Sequence, residues 1–145
     1  MVKALLDTNV LASGLASFKH PNRTPAQLLH AWRAGLFELC ISEHILIELK
    51  ETLNKPYFKS KLTPEDIEEA VVLLSEECIM ISVTTIVKGI ATHPEDDLVI
   101  AAAVSGKVDY LVTGDGPLLR KAGKSFKGVT LISPSDFLEV LKKQI

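Results

Sequence analysis

The chain has 145 residues, of which 47% are hydrophobic and 23% charged, and its net charge is −2. This size and balance predict one folded domain over residues 1–145, able to bury roughly two-thirds of its unfolded surface, and exclude a disordered or low-complexity chain. The longest apolar stretches, such as Leu98 to Val104, are far too short to cross a bilayer, and Met1 leads into a strand-like run with no signal-peptide pattern, so the expected location is the cytoplasm.

Val2 to Leu6 is a short β-type run that ends at Asp7-Thr8-Asn9, a polar turn into a helix. Pro25 then opens a helix in which Ala26, Leu28, Leu29 and Trp32 recur at helical spacing until Gly35 stops it, and Phe37 to Ile41 reads as a second strand. Ser42 is a good N-cap for a helix whose apolar stripe is Ile45, Leu46, Leu49 and Leu53. Glu48 falls roughly 60° from Ile45 at about 100° per residue, on the border of that stripe, where a carboxylate can reach a cleft. Lys55-Pro56 ends this helix. Thr63-Pro64-Glu65-Asp66 starts the next, with a cap, a proline at the first position and acids in the first turn, and it should run to Glu77.

Cys78 to Val83 reads as a third strand, and Thr84 to Pro94 as a connection without assigned structure. Pro94-Glu95-Asp96-Asp97 opens the most apolar helix of the chain, which continues through Leu98 and Val104 to Gly106. Tyr110 to Thr113 is the fourth strand and Val129 to Ile132 the fifth, and Ser133-Pro134-Ser135-Asp136 starts a terminal helix. Alternation of β-like and α-like runs with little loop between them predicts an α/β fold with a parallel sheet.

Cys40 and Cys78 lie in apolar runs with no Cys or His at metal-ligand spacing, and the four histidines form no cluster, so reduced core thiols are expected and zinc is not. The acids are more informative. Asp7, Glu48, the Asp96-Asp97 pair and Asp115 each adjoin an apolar run, and Asp7 and Asp115 follow β-type runs, where parallel α/β sheets place their ligand sites. Taken singly, each has an ordinary reading: an Asx turn, a solvated helix acid, charges offsetting a helix dipole, a Gly-Asp-Gly turn. Taken together, they form an oxygen-only set suited to Mg²⁺ or Mn²⁺, and such an ion suits phosphodiester hydrolysis. Asn9 and Thr113 stand two residues from Asp7 and Asp115 and are expected to support them by hydrogen bonds.

A net charge of −2 is unusual for a protein that handles nucleic acid, but setting four cation-bound carboxylates aside turns it into +2. The remaining cations cluster. Lys55, Lys59 and Lys61 fall in one connection, and Arg120, Lys121, Lys124 and Lys127 in another; of these, Lys55, Lys59, Arg120, Lys121 and Lys124 are the candidate RNA contacts.

Read in order, LLDTNV, SEHILIELKETL, HPEDDLVIAAAVSGKVDYLVTGDGPLL and ISPSDFLEVL resemble the PIN-domain nucleases, in particular the prokaryotic VapC-like branch of toxin components of toxin–antitoxin pairs. The resemblance implies a single PIN-like domain with a parallel sheet of about five strands sandwiched by helices, and metal-dependent endoribonuclease activity on RNA. It implies a site in which Asp7, Glu48, one of Asp96 and Asp97, and Asp115 surround Mg²⁺ or Mn²⁺. The family pattern favours Asp96 as the third acid; a different alignment favours Asp97. A homodimer and a small antitoxin protein are implied as partners.

Two other functions fit less well. Haloacid-dehalogenase-type phosphohydrolases also pair an early strand-end Asp with a late Gly-Asp, but they place a second Asp as general acid where this chain has Asn9. A non-catalytic RNA-binding or regulatory module would have no reason to keep a full set of mutually repelling carboxylates.

Overall fold

A computed structural model describes residues 1–89, 94–121 and 125–144. Its centre is a six-stranded sheet in the order β3-β2-β1-β4-β6-β5. β1 (Lys3–Leu6) pairs in parallel with β2 (Glu38–Ser42) on one side and β4 (Tyr110–Val112) on the other. β3 (Ile79–Ile81) extends the sheet beyond β2, and β6 (Val129–Ile132) beyond β4, both in parallel. β5 (Ser125–Phe126) runs antiparallel on the outer edge of β6.

The helices are α1 (Thr8–Ala16), α2 (Thr24–Arg33), α3 (Glu43–Leu53), α4 (Pro56–Lys59), α5 (Pro64–Glu77), α6 (Pro94–Ser105), α7 (Gly116–Lys121) and α8 (Pro134–Lys142). They flank a sheet whose central strand is wholly buried at Ala4, Leu5 and Leu6, the unbroken apolar run expected of a strand covered on both faces. Phe37 and Phe137 meet edge-on in the same core, their ring centroids 5.2 Å apart. Among the described residues no helix is long and apolar enough to cross a membrane.

Local chemistry sets the helix starts. The Ser42 hydroxyl accepts from the Ile45 N–H at 3.2 Å, and Ser133 caps α8 through the Asp136 N–H at the same distance. At α5 the Thr63 hydroxyl and the Asp66 carboxylate each accept from the other's backbone N–H, so two orphan donors are satisfied reciprocally. Gly14 lets α1 lie close on α2: a Cβ there would stand 2.7 Å from Leu29 Cδ1 and 2.8 Å from the Pro25 carbonyl oxygen.

The sheet has six strands rather than about five. β5 and β6 are joined by a two-residue turn in which both Lys127 (φ 48°) and Gly128 (φ 85°) are left-handed, the geometry of a tight hairpin. The third strand, expected over Cys78 to Val83, covers Ile79–Ile81; at its start Cys78 still caps α5, donating its N–H to the Leu74 carbonyl at 3.1 Å. Both cysteines are free and buried, and burial pushes the thiols up to about 11 for Cys40 and about 12 for Cys78, as expected of unreactive core groups.

Candidate active site

The strand order fixes where a ligand site can form. From β1 the chain moves outward through β2 to β3, then returns to place β4 on the other side of β1, so the order reverses between β1 and β4. In an open parallel sheet the crevice beyond the carboxyl ends at such a reversal is the usual ligand site. The residues leaving β1 and β4 there are Asp7 and Thr113.

Register brings the two together. Leu6 pairs with Val112, and the Asp7 N–H donates to the Val112 carbonyl at 2.9 Å, which extends the ladder by one residue. Asp7 then turns into α1 as its N-cap, with Oδ1 accepting from the Thr8 N–H at 2.8 Å. Its other oxygen, Oδ2, accepts from the fully buried Thr113 hydroxyl at 2.9 Å. The same hydroxyl accepts from the Asp115 N–H at 3.1 Å. Thr113 therefore joins the two aspartates through one side-chain oxygen, while Asp115 Oδ1 accepts from the Leu118 N–H at 3.2 Å at the start of α7.

The Asp7 carboxyl is held above its ordinary value. Burial is the main cause, the hydrogen bonds from Thr113 and Thr8 oppose it, and the negative charges of Glu48 and Asp115 push the same way as burial. Glu48 and Asp115 thus both lie close enough to act on Asp7 electrostatically. Glu48, on α3, is about a third exposed, and its Oε2 lies 3.3 Å from Nε2 of His44 one turn earlier, without hydrogen-bond alignment. This neighbour was not expected from the sequence, although the spacing of four on one helix is its signal.

Asp97 sits in the first turn of α6, 9% exposed, and its Oδ2 accepts from the Gly89 N–H at 3.0 Å. Gly89 belongs to the connection that had no assigned structure, so this contact was not legible either. Asn9 is exposed on the first turn of α1. Lys55 and Lys59 are exposed at the two ends of α4, and Arg120 is exposed on α7. The side chains of Asp96 and Lys121, and Lys124 as a whole, lie outside the described residues.

Among the described residues no group of three His, Cys, Asp or Glu side chains is placed to hold one metal ion. Mg²⁺ does not need three, since it is usually held directly by one or two carboxylates and keeps several waters. Asp7 and Asp115, tied through Thr113, are oxygen donors of the right kind, and a divalent cation would relieve the repulsion that Asp115 and Glu48 exert on Asp7.

No curated protein matches the chain. The profile of the PIN domain family matches residues 3–116, a stretch running from β1 through both strands of the switch point to the Gly after Asp115. With nearly four-fifths of its length matched, and with a mostly parallel sheet flanked by helices, the chain belongs to the PIN domain family.

Proposed function

We propose that this protein is a Mg²⁺- or Mn²⁺-dependent endoribonuclease, folded as a single PIN-like domain over residues 1–145. PIN domains are generally nucleases and typically need a divalent metal. The observation that carries the reading here is the pair Asp7 and Asp115 joined through Thr113 at the sheet's switch point.

Asp7 and Asp115 would hold the ion, with Glu48 and one of Asp96 and Asp97 completing the acidic set. A bound Mg²⁺ or Mn²⁺ supplies a Lewis acid for the phosphoryl oxygen and lowers the pKa of a bound water. The protein's own part is positioning. Thr113 fixes Asp7 Oδ2 by donating to it, the Thr8 N–H fixes Oδ1, and both bonds favour the charged carboxylate against the effect of burial. Glu48, which is partly exposed, would orient and deprotonate the attacking water at its carboxylate, and Asn9, exposed at the start of α1, would hydrogen-bond substrate or water. Lys55, Lys59, Arg120, Lys121 and Lys124 would meet the RNA phosphates.

The family assignment displaces the haloacid-dehalogenase comparison. The role of toxin in a toxin–antitoxin pair, a small antitoxin partner, a homodimer and a cytoplasmic location belong to the same proposal and rest on the resemblance of the motifs to the VapC-like branch.

The test is cleavage of single-stranded RNA by the purified protein. Cleavage is expected with Mg²⁺ or Mn²⁺, loss of cleavage in EDTA, and at least a hundred-fold loss in Asp7→Asn, which keeps the side-chain volume and removes the charge. Full activity in EDTA, or in Asp7→Asn, overturns the metal mechanism.

A further inference from the structure

Among the described Phe, Trp and Tyr residues Tyr57, in α4, is the one left largely exposed, at 59%. It is not loose. The Phe58 ring meets it edge-on, 4.9 Å away at 88°, and the Lys61 ammonium lies over its face at 5.3 Å. Together with Ser13, Ser17 and Arg23 these residues line a cavity of about 140 Å³ between α1 and α4. Arg23 and Lys61 are both exposed at its rim.

The cavity lies beside α1, the helix that Asp7 caps. Ser13 is six residues beyond Asp7, roughly 9 Å along the axis of α1, and shares a face with the exposed Asn9 four residues earlier. α3 packs against α1 and carries Glu48 before the chain passes into α4 and Tyr57. An RNA strand running from Asp7 along α1, past Asn9 to Ser13, would reach the Tyr57 π-face, with a guanidinium and an ammonium beside it.

We infer that the Tyr57 cavity is a base-stacking subsite for single-stranded RNA, in which Tyr57 stacks on an unpaired nucleobase while Arg23 and Lys61 take the flanking phosphates. This rests on the endoribonuclease reading for the identity of the polymer. Proteins that bind single strands combine cations along the backbone with aromatic faces for the bases, and stacking tolerates any base because every base has a π-face. Phe58 fixes the Tyr57 ring before binding, so little side-chain entropy is lost. Lys61 loses its contact with the ring and gains a phosphate. A duplex cannot use the subsite, since its bases are already stacked.

The experiment uses the full chain carrying Asp7→Asn with Mg²⁺, so that RNA is bound without being cut, and short single-stranded RNAs with 2-aminopurine moved through successive positions. Quenching at a particular position is expected, kept in Tyr57→Phe and lost in Tyr57→Leu. Affinity in Tyr57→Leu should fall roughly five- to hundred-fold, with binding of the same sequence as a duplex unchanged. Tyr57 is exposed, so equal melting temperatures confirm that both variants fold. No RNA binding, or equal binding and quenching in Tyr57→Leu and its parent, overturns the subsite. Wild-type protein is assayed for cleavage in parallel. Quenching without cleavage supports the subsite and counts against the nuclease reading, whereas cleavage with quenching indifferent to Tyr57 overturns the subsite alone.

Discussion

Thr113 satisfies two groups with one hydroxyl, donating to Asp7 Oδ2 and accepting from the Asp115 N–H, so the spacing of the two acids is set by a fully buried side chain rather than by loop conformation. Asp7 is the member of the set whose charged form is disfavoured. Because burial and the charges of Glu48 and Asp115 hold its carboxyl above the ordinary value of 3.8, the folded protein binds the Asp7 proton more tightly than the unfolded chain does. The folded state then carries the larger number of protons between 3.8 and the raised value. Stability falls as pH rises through that window and is level above it. Asn at this position does not titrate. Metal-free Asp7→Asn should therefore melt higher than the parent at pH 7, and the two should converge as pH is lowered past the window; a lower melting temperature for the variant at pH 7 would show that the Asp7 hydrogen bonds outweigh the repulsion. At this scale the placement of Asp7 and Asp115 at the carboxyl ends of the strands was legible, because Asp7 directly follows β1 and Asp115 comes three residues after β4. The Gly89 contact of Asp97 and the His44 neighbour of Glu48 were not, because each depends on where a loop or a helix face settles in space.

α1 links the chemistry to the packing: its N-cap is Asp7, and its body lies on α2 at Gly14. The two atoms a Cβ at Gly14 would meet differ in kind. Leu29 Cδ1 is the end of a flexible side chain and can move, but the Pro25 carbonyl oxygen is backbone, so the helices themselves must separate. Gly14→Ala is expected to cost about 1–3 kcal/mol in denaturant unfolding, as overpacked cores do. It should also lower RNA cleavage in the protein that remains folded, because a displaced α1 carries Asp7 away from Thr113. Unchanged stability would mean that the α1–α2 contact yields more easily than a backbone oxygen should. Helix starts were readable where a polar cap or a proline marks the first turn: α1 after Asp7, α2 at Pro25 and α6 at Pro94, and α3, α5 and α8 at Ser or Thr caps that act within one turn, the last two with a proline at the first position. α4, α7 and β5 were missed. They have four, six and two residues, too few for any periodicity, and the β5–β6 turn uses Lys127-Gly128 where Asn-Gly would have announced a hairpin.

The parallel α/β architecture could be read from the alternation of runs, but the sheet order could not, because strands of similar apolar character do not encode which neighbour they choose. That order matters most for function, since it creates the switch point between β1 and β4 where Asp7 and Asp115 meet. On the ribonuclease reading it also bears on how a molecule of net charge −2 would attract RNA. On that reading, acids gathered at the carboxyl ends of the strands would repel phosphates until a cation binds, and positive side chains near the approach would offset the repulsion. Lys55 and Lys59 stand exposed at the ends of α4, the element entered directly from the Glu48 helix. If both contact phosphates, Lys55→Ala with Lys59→Ala removes two counterion-releasing contacts. The slope of log Kobs against log salt should then become shallower by about 1.4 for single-stranded RNA. Affinity should fall most at low salt, where screening is weakest, while Mg²⁺ affinity stays as in the parent because neither lysine adjoins the aspartates. Binding isotherms across a salt series decide this. Parallel lines for parent and double variant would make α4's lysines solvated surface charges and leave the phosphate path to the α7 side of the site, where Arg120 stands exposed.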